Sequence, residues 1–93
     1  MIRRGMMTKH KLKIWESNYK DILDEIKHFE VRKNDRDYQV GDILELNKYR
    51  PTDNHNFNIF LTARVTYMIH IPNTDLVVME FKVIDPLEER NEQ

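Results

Sequence analysis

The chain has no cysteine among its 93 residues, which rules out a disulfide framework and any thiolate metal site. Only two glycines are present, and they form no phosphate-cradling loop. No serine sits in a nucleophile elbow. The four histidines, at 10, 28, 55 and 70, lack the spacing of metal ligands, so neither a metal nor another cofactor is expected. No apolar run approaches the length that crosses a bilayer. Met1–Ile14 carries basic residues but no apolar segment, so a secretory signal is not expected and the implied location is cytoplasmic.

What is present fits one small folded domain over residues 1–93, with 1–7 as a loose leader and 85–93 as a charged tail. Hydrophobic residues make up 40% and charged residues 33%, too apolar for wholesale disorder. The net charge of −1 hides a polarity. Residues 1–20 hold six Lys/Arg against one acid, whereas residues 74–93 hold six acids against two bases. A local basic patch can meet nucleic acid, although charges of both signs also suit an ordinary solvated surface.

Period-two patterning dominates. His10, Leu12 and Ile14 alternate with Lys9, Lys11 and Lys13, which predicts a strand over Thr8–Trp15 with one wet face. His10 shares the apolar side, as a satisfied, partly buried histidine would. Tyr19, Ile22, Leu23 and Ile26 then follow helical spacing, with Ser17 as the expected cap of a helix over Glu16–Ile26. Further strands are expected at 28–34, 43–49, 59–71 and 76–84, separated by polar turns at Asn34–Gln39, Arg50–Asn56 and Pro72–Asp75. The expected core is Leu46, Val65, Tyr67, Met79, Phe81 and Val83, with Ile22, Leu23 and Ile26 packed at one end. The fold class is therefore α+β and mostly β: a curled sheet or barrel of about five strands with one main helix.

Three segments carry a resemblance: His10-Lys11-Leu12-Lys13-Ile14, the long charged stretch Lys27–Asp42, and Val65-Thr66-Tyr67-Met68-Ile69. Over roughly residues 8–84 the chain resembles small bacterial and phage domains of unknown function in the ASCH/PUA-like superfamily. Lys27, Glu30 and Arg32 match the hallmark Gly-x-Lys-x-x-Glu-x-Arg, while Glu25 stands where glycine is usual. Phe57-Asn58-Ile59-Phe60 replaces a Tyr-Thr-Gly-Arg-like stretch. The resemblance implies a PUA-like fold with a ligand cleft between helix and barrel.

Glu30 and Arg32, two apart on a strand, share a face, where two charges form either an ion pair or a ligand clamp. Arg32 and Arg36 have the fork geometry that recognises phosphate or a base edge. The candidate ligand-binding residues are Lys13, Lys27, Glu30, Arg32, Asn34 and Arg36; Lys82 is expected outside their mouth. The competing reading makes Asn34-Asp35-Arg36-Asp37 a hydrogen-bonded turn. Trp15, Tyr38 and Tyr49 are candidates for stacking a base or for capping the core.

The leading expectation is a module that binds RNA, a nucleotide or a modified base. A second is a protein-interaction module, such as a phage-encoded factor. A third, implied by the resemblance, is an amidohydrolase acting on acylated cytidine, with Lys27 and Glu30 as catalytic candidates.

Overall fold

The computed structural model describes residues 7–85. The expected leader and tail thus lie, but for Met7 and Asp85, outside the described residues. Five strands and one helix follow in the order β1 (Lys9–Trp15), α1 (Glu16–Leu23), β2 (Phe29–Lys33), β3 (Ile43–Arg50), β4 (His55–His70) and β5 (Leu76–Ile84). A 3₁₀ turn at Pro51–Asp53 joins β3 to β4.

All strands belong to one sheet, ordered β1-β3-β4-β5-β2. β1 runs parallel to β3, and every other pairing is antiparallel. The chain thus leaves one edge strand, crosses through the helix, and enters the opposite edge. The sheet curls into a half-barrel that brings those two edges near each other. Two irregularities in β4 help the curl, one facing Asn47/Tyr49 and one between Val65 and Tyr67, because a bulge bends its strand and sharpens the twist.

The concave face holds the core. Leu12, Ile14, Leu44, Leu46, Ala63, Val65, Val77, Met79 and Phe81 come from four strands and pack with Tyr19 and Ile22 of α1. A helix of two turns has little stability of its own, so α1 depends on this packing. Leu46, Val65, Met79, Phe81 and Ile22 are buried as expected.

Four expected core residues are not. Tyr67 is 59% exposed because the bulge adds Thr66 and inverts the alternation beyond it, so Met68 packs inward instead. Val83 shares a face with Phe81 but stands 41% exposed, at the rim of a pocket. Leu23 ends the helix at the same rim. Ile26 falls beyond it at 71% exposure, since α1 stops three residues earlier than the pattern predicts. Ser17 lies within the first turn, and the capping position is Trp15, without a side-chain hydrogen bond.

The helix stops through a left-handed residue. Glu25 has φ +60°, the Glu25 N–H bonds to the Ile22 carbonyl (3.1 Å), and the Ile26 N–H to that of Asp21 (2.8 Å). This is a Schellman ending with glutamate in the place glycine favours. Among the described residues, no helix is long and apolar enough to cross a membrane.

Candidate functional site

Strand β2 is built inside out. Phe29 and Val31 point outward at 47% and 46% exposure, while Glu30 is buried and Arg32 half-buried on the inner side. A carboxylate placed there must be paired. Lys27 donates to Glu30 Oε1 at 3.2 Å, and Arg32 donates through Nε to Oε2 at 2.8 Å. Both carboxylate oxygens are therefore engaged.

The two arginines also fasten the half-barrel. Arg32 Nη2 donates to the Lys13 carbonyl at 2.7 Å, and Arg36 Nη1 to the Lys11 carbonyl at 2.8 Å. Those carbonyls belong to the edge of β1 that β3 does not pair, since the Thr8 carbonyl bonds to the Ile43 N–H and direction alternates along a strand. Side chains from β2 and its following turn thus satisfy main-chain acceptors of the opposite edge strand.

The structure brings Lys27, Glu30 and Arg32 into direct contact. Lys13 joins them through its carbonyl, while its ammonium stands over the Tyr49 ring, 4.7 Å from the centroid, on the outer face. Asn34 shapes the turn: its Oδ1 accepts from the Tyr38 N–H at 3.2 Å, and its own N–H donates to the Asp75 carbonyl. Below this turn, Tyr38 is a core residue packed on the His10 ring, with centroids 4.6 Å apart. Burial raises the Tyr38 phenol above its ordinary pKa, against the pull of Arg36 and Arg32. His10 is buried and bonds to Asp42 Oδ2 at 2.8 Å, and that oxygen also accepts from the Gln39 N–H. Among the described residues, no three His, Asp or Glu side chains gather as a metal site.

A pocket of about 450 Å³ opens between the end of α1 and the sheet. Ile22, Leu23, Leu61 and Phe81 give it apolar walls; Glu25, His28, Lys82 and Val83 complete the lining. Lys82, expected away from the ligand mouth, therefore borders this space. Strand β2 pairs with β5 only as far as Glu80, after which the Phe81 N–H bonds to the His28 carbonyl at 2.9 Å. Beyond that point the Val83 main chain presents an edge that β2 does not cover. Periodicity could not reveal this pocket, because it is made where β2 begins, short of the end of β5. The one sequence feature that touches it is Glu25, where the resemblance leads to the expectation of a glycine.

No curated protein matches the chain. A family model described as a domain of unknown function, DUF3850, matches residues 9–81, which run from the first residue of β1 to Phe81. The chain belongs to the DUF3850 family.

Proposed function

We propose that this domain binds a nucleotide, free or within RNA, in the pocket at the end of α1, and that its fold is of the ASCH/PUA-like class. The carrying observation is the pocket itself. Its volume of about 450 Å³ lies within the usual range for small-ligand sites. Apolar walls from Ile22, Leu61 and Phe81 suit the faces of a flat heterocycle, and the uncovered Val83 edge offers a donor and an acceptor to its rim. Lys82 borders the same opening and sets a positive charge at its edge for a phosphate, while the His28 ring, its Nε2 2.8 Å from the Glu25 carbonyl, lines the other side. Lys27 adjoins His28, and Glu30 holds it in place together with Arg32. Arg32 and Arg36 act first as fasteners of the sheet and only through their remaining N–H groups as ligand donors. The superfamily reading is supported by Glu25, whose left-handed backbone is the conformation that the hallmark glycine adopts freely. A nucleotide ligand goes with a cytoplasmic location.

Calorimetric titration with the four ribonucleoside monophosphates tests this reading. Binding should be lost when Leu61→Trp fills the pocket, with the cooperative thermal transition retained. Equal affinity of that variant contradicts the assignment.

One observation favours a second reading, hydrolysis of acylated cytidine: the Lys27–Glu30 contact at 3.2 Å supplies a lysine beside a carboxylate. Lys27→Ala should then abolish turnover of an acylated nucleoside while the protein stays folded. No turnover by the intact protein across a panel of such nucleosides contradicts it.

A further inference from the structure

The convex face of the sheet carries residues that the pocket does not use. On β1 the outward positions are Lys9, Lys11, Lys13 and Trp15, all exposed. Their ladder partners on β3 place Glu45 beside Lys11, Asn47 beside Lys13 and Tyr49 beside Trp15. One strand further, Phe60 of β4 stands beside Asn47. Three lysines, two exposed aromatics and a tyrosine thus share one face within two strand spacings, about 10 Å. Among the described residues at these outward positions of β1, β3 and β4, Glu45 is the single acid.

Part of this face is packed, since Ile43 beside Lys9 is 1% exposed and Thr62 beside Glu45 is 4% exposed; the end that carries Lys13, Trp15 and Phe60 is open. Trp15 is 60% exposed and Phe60 47%, so both leave apolar surface in water. The lysines recur every second residue, about 6.6 Å apart along the strand, close to the phosphate separation of an extended single-stranded polynucleotide. The Lys13 ammonium already lies on the Tyr49 ring, which shows a cation and an aromatic plane sharing one position on this face. Arg36, bonded to the Lys11 carbonyl, adds a guanidinium at the neighbouring edge. Stacking platforms interleaved with backbone cations are what a single strand of nucleic acid needs and what an acidic protein surface does not.

We infer that the outer face of β1, with the adjoining Asn47–Tyr49 stretch of β3 and Phe60 of β4, is a binding surface for single-stranded nucleic acid, with phosphates at Lys11 and Lys13 and bases stacked on Trp15 and Phe60. The surface stands on different residues from the pocket, so either assignment can fail alone.

Trp15 is the only tryptophan of the chain, which makes its fluorescence a local reporter. The probe is an oligouridylate of about 12 nucleotides, titrated at salt from about 50 to 200 mM. Binding should quench Trp15 and weaken with salt, and Lys11→Ala and Lys13→Ala should each flatten the log–log slope by about 0.7. Phe60→Ala should weaken the quenching titration about tenfold, and Trp15→Ala, followed with a labelled oligonucleotide, should do the same. Absence of quenching, a slope unmoved by both lysine variants, or equal quenching by polyglutamate of matched charge would overturn the inference.

Discussion

Single residues here hold positions that their chemistry does not favour, and those positions make the most direct tests. Glu25 adopts a left-handed backbone that costs a non-glycine residue roughly 1 kcal/mol. Glu25→Gly should therefore stabilise the domain by about 0.5 kcal/mol, after part of the gain is lost to the freer unfolded chain, as measured by urea denaturation. Tyr38 offers a second test. Its phenol holds its proton more tightly in the folded state, where burial disfavours the anion. That contribution is complete below the unfolded pKa of about 10 and is lost as pH rises through the higher folded value. Stability should fall as pH rises above about 10, and Tyr38→Phe should show a shallower fall in the same denaturation series. An identical decline in both proteins contradicts the account.

At the scale of elements, much was legible because period two is a strong signal when one strand face is buried. Leu12 and Ile14 on β1, and Val77, Met79 and Phe81 on β5, announce their faces in the sequence. Phe81→Ala should cost about 3–5 kcal/mol in thermal or chemical unfolding, since Phe81 is 3% exposed. The bulge at Thr66 was not legible, because the residues around it alternate smoothly and only the pairing with β5 reveals the extra residue. Nor was the inverted β2, whose apolar residues face out while its charges face in. Glu30 and Arg32 stand out in the sequence as a charged pair, but the second partner of Arg32 lies far away in sequence, on the main chain of β1. The fastening by arginine predicts a local effect. Arg32→Ala should destabilise by about 2–3 kcal/mol, because it removes a charged hydrogen bond and leaves Glu30 with Lys27 alone. Arg36→Ala, at an exposed site, should cost about 1 kcal/mol. Hydrogen exchange should show both losses first at β1 amides; uniform acceleration across the sheet would contradict the fastening role.

For the whole molecule, the half-barrel separates two surfaces that the sequence ran together. The expected mouth of Lys13, Lys27, Arg32 and Arg36 is divided by the sheet: Lys27 and Arg32 meet on Glu30, whereas Lys13 turns outward to Tyr49. The pocket forms where α1 ends and β2 leaves β5 uncovered. The proposed ligand is best located by observing the backbone directly, since arginine variants disturb the sheet as well as any binding. Amide resonances followed during titration with a ribonucleoside monophosphate provide that measurement. The account predicts saturable shifts at Leu23, Glu25, His28, Leu61 and Val83, with the convex face unmoved. Shifts confined to β1 and β3, or none at saturating nucleotide, would contradict it.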